Sequence, residues 1–143
     1  MSSPYEILIE ARRLAEKGEI RKALQMLTSL IPPGEDYGVE LASSPTISYY
    51  IDRGGLLSIS KRVEEGIPYM TSTARRIPWD LLPSWVIEDL DFCRVIEDIV
   101  RINIEWLSKE GRRHPYQEKA REIASIDIKE LCRDSLGGLS EQM

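Results

Sequence analysis

Large apolar residues recur at every seventh position between Leu81 and Lys109. The row consists of Trp85, Phe92, Ile99 and Trp106. A second apolar row fills the half-intervals with Val95, Ile96 and Ile102. This spacing repeats on one face of an α-helix. The stretch therefore predicts a single helix about 40 Å long, which Asp80 can cap and Gly111 ends.

The same row has two structural interpretations. Bulky residues at every seventh position are typical of a helix that pairs with another helix in a coiled coil. However, Asp89 and Asn103 occupy positions of the second row, and further apolar residues widen the stripe. These residues are Val86, Cys93, Val100 and Leu107. A wide stripe favours a helix that packs against its own sheet, with Trp106 and Leu107 as the candidates for an interface.

Residues 1–33 predict a helical hairpin. Ser3 can cap a first helix, because proline and glutamate follow it at the positions that favour a helix start. Apolar residues repeat at helical spacing on both sides of Gly18, where the chain can turn. Pro32 ends the second helix, and the glycine, serine and proline content of residues 34–45 predicts a loop.

Residues 46–79 predict an antiparallel meander. Three runs rich in β-branched and aromatic residues are joined by the turn signals Arg53-Gly54-Gly55 and Glu64-Glu65-Gly66. Alternation predicts one face with Ile and Leu and another with Ser, Thr, Tyr and Arg. Pro68 places the third strand at a sheet edge or at the start of that strand.

The predicted fold class is α+β in a single domain of 143 residues. It comprises the N-terminal helical hairpin, a three- to four-stranded antiparallel meander, and a helical part over 80–136 with the long helix and short C-terminal helices. Residues 137–143 are expected to form a loose tail. Charged residues make up 30% of the chain, a fraction that also suits a heat-stable protein.

The two cysteines, Cys93 and Cys132, are far apart in the sequence. This spacing is neither a disulfide framework nor a zinc-binding pattern, so both are expected to be buried thiols in a reducing compartment. No apolar run is long enough to cross a membrane. The N-terminus lacks the basic and apolar regions of a signal peptide. These features predict a cytoplasmic protein without a membrane partner.

The sequence contains no recognisable catalytic motif. The single histidine, His114, follows two arginines in a predicted loop, without a nearby nucleophile pattern. The acidic pairs Glu88-Asp89 and Glu97-Asp98 could form a carboxylate metal site, but such pairs on a polar helix face are more typical of a solvated surface. We therefore expect no enzymatic activity, no cofactor and no bound metal.

Charge is unevenly distributed along the chain. The net charge of −5 does not indicate a nucleic-acid-binding protein. Residues 46–79, however, carry five basic and three acidic side chains, whereas residues 80–110 carry three basic and eight acidic ones. The predicted meander is thus mildly basic and the predicted long helix is acidic.

The polar face of the predicted meander combines arginines with aromatic rings. Single-stranded nucleic acid requires this combination, because its bases stack on rings and its phosphates pair with guanidinium groups. The candidate phosphate contacts are Arg53, Arg62, Arg75 and Arg76, and the candidate stacking rings are Tyr50, Tyr69 and Trp79. The same residues also fit an ordinary structural role, with the rings in the core and the arginines paired to the acidic helix.

The order of elements from about Ile47 to Leu107 resembles the archaeal single-stranded DNA-binding proteins called ThermoDBP and their related proteins. The resemblance rests on strands that carry Tyr and Arg, followed by a long helix with Trp85 and Trp106. The acidic total charge departs from it. The resemblance implies an antiparallel sheet, a basic aromatic cleft and a helix-mediated dimer that holds DNA between its subunits. The predicted function is therefore sequence-independent binding of single-stranded DNA by a dimer or higher assembly.

The alternative prediction is a non-enzymatic helical assembly subunit that docks on a protein partner. The protein surface distinguishes the two predictions. A continuous basic and aromatic groove favours nucleic-acid binding, whereas an exposed apolar patch on the first helical hairpin favours docking.

Overall fold

The computed structural model describes residues 3–34, 36–63, 70–110 and 113–132, without the side chains of residues 62, 63, 70 and 71. The helices are α1 (Pro4–Glu16), α2 (Ile20–Leu27), α3 (Ser84–Glu88), α4 (Phe92–Lys109) and α5 (Gln117–Ala124), and residues 128–132 are also helical. The strands are β1 (Val39–Ser43), β2 (Ile47–Asp52), β3 (Gly55–Val63) and β4 (Met70–Ile77). This architecture confirms the α+β prediction.

The N-terminal helices form as the local sequence predicts. The Ser3 hydroxyl oxygen accepts a hydrogen bond from the Glu6 backbone N–H at 3.2 Å, which caps α1. Gly18, at a φ of 87°, provides the turn between α1 and α2, a conformation that other residues rarely adopt. The two helices bury their apolar faces together, with Leu8 on α1 and Leu24 on α2 fully inaccessible to solvent.

The four strands form an antiparallel sheet in the order β1-β2-β3-β4. The prediction of a loop over residues 34–45 is wrong for Val39–Ser43, because this segment pairs with β2. Its buried Val39 and Leu41 join the core, which stabilises a strand despite the surrounding turn residues. The predicted turn over residues 64–66, Pro68 and the tail 137–143 lie outside the described residues.

The predicted division of the sheet faces is wrong for β3. Tyr49 pairs with Ser58, whereas Tyr50 pairs with Leu57, and residues paired in this way share a face. The inner face, which contacts the helices, therefore carries Ser58 beside Leu56. The outer face, which points away from the helices, carries Leu57 beside Tyr50. Strand registers are set by pairing across the sheet, so the alternation within one strand could not assign its faces.

The predicted continuous helix is interrupted. It ends at Glu88 in α3 and restarts at Phe92 in α4, where the Asp91 carboxylate accepts a hydrogen bond from the Arg94 backbone N–H at 3.2 Å. Aspartate favours such a capping position over a helix interior. The 18 residues of α4 span about 27 Å, shorter than predicted, and the row of bulky residues is divided between two helices.

This interruption separates the environments of two tryptophans. Trp106 on α4 is 1% exposed and lies in the core, so its predicted role as an interface residue is wrong. Leu107 is half-buried and packs against the same core. Trp85 on α3 is 40% exposed. The sequence row therefore joins residues that differ in exposure in the fold.

A polar network crosses the core beneath α4. The fully buried Asn103 donates from its amide nitrogen to the carbonyl oxygens of Leu30 and Ile99, at 2.9 and 2.7 Å. The Tyr116 hydroxyl lies within hydrogen-bond distance of the Asn103 side-chain oxygen and the Leu30 carbonyl. Asn103 interrupts the predicted apolar row because its amide connects three separate segments of chain.

Cys93 and Cys132 form a disulfide, with their Cα atoms 6.0 Å apart. The prediction of two buried thiols is therefore wrong, although Cys132 is buried. The bond joins the start of α4 to the helical residues 128–132. Long-range packing brings the two cysteines together, so their spacing in the sequence could not reveal the pair. Among the described helices, none is both long and apolar enough to span a membrane.

Candidate nucleic-acid interface

The structure distributes the predicted nucleic-acid contacts over several surfaces. Tyr50 and Arg76 lie on the outer face of the sheet, and Arg75 lies on the inner face. Arg53 lies in the turn between β2 and β3, and Trp79 follows β4. The Arg62 backbone pairs with Thr71 in the β3–β4 hairpin, but its side chain is outside the described part of the chain, as is all of Tyr69.

Intramolecular partners engage Tyr50 and Arg76 on the outer face. The Tyr50 hydroxyl donates to the Glu40 carboxylate at 3.0 Å. Burial raises the pKa of Tyr50, and the hydrogen bond and charge of Glu40 raise it further. The Arg76 guanidinium donates two hydrogen bonds to Asp52, at 2.9 and 3.1 Å. The hydrogen bond to Asp52 raises the pKa of Arg76 above its ordinary value.

A shallow depression on the outer face has an apolar floor and an acidic border. It has a volume of about 280 Å³ and is lined by Tyr37, Tyr50, Leu57, Ile59, Asp36 and Asp52. Carboxylates at the border disfavour a polyanion. With Arg76 already paired to Asp52, this face does not form the predicted basic and aromatic surface.

Arg53 connects the sheet to the helical part. Its guanidinium donates to the Ile31 carbonyl oxygen at 3.2 Å and lies 5.0 Å from the centre of the Tyr116 ring. Both contacts occur within the chain, and the second is in the range of a cation–π interaction. Trp79 is half-buried and packs against the core. These two residues therefore have structural roles that compete with contacts to a ligand.

Arg75 differs from the other predicted arginines. It is exposed on the inner face of β4, and its guanidinium has no hydrogen bond or ion pair within the described chain. The strand register places Tyr49, Ser58 and Arg75 in one line across β2, β3 and β4. Adjacent strands are about 4.8 Å apart. Arg75 therefore lies about 10 Å from Tyr49 along this line.

The Trp85 ring covers the other end of this line. Its centre lies 5.9 Å from that of Tyr49, and the two planes meet edge to face at 68°. Trp85 keeps 40% of its surface exposed, whereas Tyr49 is buried. We name Trp85, Tyr49, Ser58 and Arg75 the inner-face row. It combines an exposed indole ring with an unpaired guanidinium, and only Arg75 was predicted as a site residue.

The sequence contained one indication that Trp85 lies apart from the buried row. Asp91 is a favourable helix cap and Asp89 breaks the apolar pattern. Together they could have separated Trp85 from the buried row. No local signal could have placed Arg75 in line with Tyr49, because that relationship depends on the register of three strands.

Two of the candidate catalytic and metal-binding residues, Asp98 and His114, have structural partners. The Asp98 carboxylate accepts hydrogen bonds from Arg94 at 2.9 Å and Arg101 at 3.2 Å. His114 accepts a hydrogen bond from the Tyr116 backbone N–H at its Nδ1 atom. Its ring packs edge to face on Trp106. Among the described residues, no three His, Cys, Asp or Glu side chains are grouped so that they could hold a metal ion.

Comparison with known proteins identifies no relative: the chain matches no protein-family model, no curated protein and no solved structure.

Proposed function

We propose that the chain binds single-stranded DNA without sequence preference, through the inner-face row. The observation that carries this proposal is the unpaired Arg75 guanidinium in line with Tyr49 and the exposed Trp85 ring. A guanidinium can pair with a phosphate, while an indole ring can stack on any base. This activity is also the one that the resemblance to ThermoDBP implies.

The site is smaller than the predicted one. Each stacked base contributes about 1–3 kcal/mol, so one indole ring and one guanidinium support only weak binding. Self-association, which the sequence also predicts, would supply a second set of contacts. The pairing of Arg76 with Asp52 and the acidic border of the outer face further favour the inner face for a polyanion.

Adjacent arginines provide a matched test. Fluorescence anisotropy would follow the titration of the protein into a labelled oligothymidine at 50 mM and 200 mM salt, with an oligouridine as a second ligand. Arg75→Ala is expected to weaken binding at least about tenfold. Arg76→Ala removes the same charge from the opposite face and should leave affinity nearly unchanged. Trp85→Ala should weaken binding by about 5- to 150-fold, the loss of one stacked base.

Three results would contradict the proposal. One is the absence of binding at 50 mM salt, and another is an affinity that does not fall with added salt. The third is an equal effect of Arg75→Ala and Arg76→Ala, which would reflect net charge rather than a site on the inner face. Circular dichroism of each variant would establish that the comparison is made between folded proteins.

We also propose a cytoplasmic location and high thermal stability. The disulfide is compatible with both, because intracellular proteins of hyperthermophiles are rich in disulfides whereas those of mesophiles rarely have them. A thermal unfolding midpoint above about 90 °C is expected for a hyperstable domain. A midpoint in the range typical of mesophilic domains would favour an oxidising compartment instead.

Docking on a protein partner is the second candidate function. Tyr5 and Ile9 lie one turn apart on α1 and are 50% and 40% exposed. They form a small apolar patch on the first helical hairpin. If this patch mediates assembly, the double variant Tyr5→Ser/Ile9→Ser should abolish any complex larger than a dimer that the purified chain forms without nucleic acid, as measured by light scattering. Retention of the complex would exclude that role.

A further inference from the structure

The two edges of the sheet differ in how well they are protected from pairing with another strand. At β1, the register shifts between Glu40 and Ala42, and the Arg94 guanidinium on α4 donates to the Leu41 carbonyl oxygen at 3.1 Å. An irregular register and a covering side chain both disfavour pairing with another strand. At β4, eight residues continue in regular register with β3, and in the described part of the chain no strand pairs with the other side. Residues 72–76 are exposed.

The direction of the free backbone groups follows from one hydrogen bond. The Lys61 N–H donates to the Thr46 carbonyl oxygen at 2.8 Å, so Lys61 directs its backbone groups toward β2. Backbone direction alternates along an antiparallel strand. Ser58 and Ser60 therefore direct their groups toward their partners on β4, Arg75 and Thr73. The intervening β4 residues, Ser72, Ala74 and Arg76, direct their N–H and C=O groups away from the sheet.

Only an extended strand can pair with such a row of alternating donors and acceptors. We propose that β4 pairs antiparallel with β4 of a second copy of this chain, around a two-fold axis at Ala74. The pairing would join two four-stranded sheets into one continuous sheet.

The charges on β4 favour this register over one with its axis at Arg75 or Arg76. In an antiparallel pair with two-fold symmetry, outward-directed residues must lie opposite each other. An axis at Ala74 places Ser72 opposite Arg76 of the second copy, and Thr73 opposite Arg75 of the second copy. An axis at Arg75 or Arg76 would instead place like charges directly opposite, which is destabilising. The Ala74 register therefore pairs each arginine with a hydroxyl side chain.

The dimer would also extend the inner-face row, an additional consequence that rests on the proposed function. Arg75 and Arg75 of the second copy would lie diagonally across the axis, about 7–8 Å apart between their backbones. A Trp85 ring would flank each of them on its own subunit. The combined surface would carry two guanidinium groups between two stacking rings. Such a surface would suit single-stranded DNA, which presents several successive phosphates.

Sedimentation equilibrium without nucleic acid tests the interface separately from the function. The wild-type chain has a mass of 16.4 kDa and should sediment at twice this value at micromolar concentrations. Ala74→Pro removes an N–H that points away from β3, so it should give a folded monomer, with the fold checked by circular dichroism. Ala74→Ser retains the N–H and should remain dimeric. A monomeric wild type, or a dimeric Ala74→Pro variant, would overturn the proposal.

Single cysteine substitutions test the register without relying on the proline variant. Ala74→Cys places two thiols opposite each other at a separation that permits a disulfide. It should therefore give a covalent dimer under mild oxidation, seen on a non-reducing gel. Ser72→Cys, which would lie opposite Arg76 of the second copy, should crosslink at least tenfold more slowly. Faster crosslinking through Ser72→Cys would overturn the Ala74 register. If Arg75→Ala loses DNA binding but keeps the dimer mass, the dimer interface does not depend on the DNA-binding site.

Discussion

The Tyr116 hydroxyl lies 2.6 Å from the side-chain oxygen of Asn103, although the first residue precedes α5 and the second lies in the middle of α4. The hydroxyl is also 2.8 Å from the Leu30 carbonyl oxygen, which accepts a hydrogen bond from the Asn103 amide. Both side chains are buried. Three segments that are distant in the sequence are therefore joined at one polar point inside an apolar core.

Removal of this hydroxyl should destabilise the protein. Tyr116→Phe keeps the ring contact with Trp106 but leaves the buried Asn103 oxygen without its donor. The expected loss is about 1–3 kcal/mol in the free energy of unfolding, measured by urea denaturation. Tyr5→Phe removes a hydroxyl from an exposed ring and should change stability by less than about 0.5 kcal/mol. Equal effects of the two substitutions would argue against the buried network.

Stability should decrease at alkaline pH. Burial raises the pKa of Tyr116 above its ordinary value of 10.0, and the Arg53 charge opposes this only in part. The folded protein thus retains a proton that the unfolded chain loses above about pH 10, and its stability falls as pH rises. Urea denaturation at pH 9, 10 and 11 should show a smaller decrease for Tyr116→Phe than for the wild type. The variant keeps some decrease, because burial also raises the pKa of Tyr37 and Tyr50.

Loss of the disulfide should lower stability without changing the arrangement of the sheet. The bond closes a loop over a sequence separation of 39 residues, for which chain entropy predicts a contribution of about 4 kcal/mol. Cys93→Ser/Cys132→Ser should reduce the free energy of unfolding by about 2–4 kcal/mol. A reducing agent should have a similar effect on the wild type and none on the double variant. A thiol assay that detects two reactive thiols in the unreduced, denatured wild type would contradict the pair.

The Arg76–Asp52 ion pair should contribute little to stability. The Arg76 side chain is 48% exposed, and that of Asp52 is 24% exposed, so solvent screens the pair. A double-mutant cycle with Arg76→Ala and Asp52→Ala should give a coupling of about 0.2–1 kcal/mol. Gly54 lies beneath the Arg76 guanidinium, and a Cβ there would come within 2.9 Å of it. Gly54→Ala should therefore reduce the coupling toward zero. An undiminished coupling would show that the pair does not require this close approach.

Fluorescence quenching can test the different exposure of the two tryptophans that the helix interruption separates. Trp85 is 40% exposed and Trp106 is 1% exposed, so iodide should quench Trp85 much more strongly. Trp85→Phe should reduce the quenchable emission at low iodide concentrations to that of the half-buried Trp79, whereas Trp106→Phe should leave it unchanged. The opposite result would place Trp106, rather than Trp85, at the surface.

Prediction succeeded where structure depends on neighbouring residues. Ser3 caps α1 and Gly18 turns the hairpin because each acts within a few positions of itself. Strands β2 and β3 were recognisable for the same reason, since runs rich in β-branched residues flank a glycine turn. The candidate site was harder to predict from the sequence. Of its predicted residues, only Arg75 combines exposure with an unpaired guanidinium within the described chain.

The sequence by itself determined the α+β class, the helical hairpin and the β2–β3 turn, because capping, turn chemistry and apolar periodicity are local. Only the tertiary structure decided that Leu57 lies outside and Ser58 inside, that Cys93 meets Cys132, and that Trp85 and Trp106 differ in exposure. Each of these relationships depends on the register or packing of segments distant in the chain. A pattern read along a single segment contains no information about the partner that will cover it.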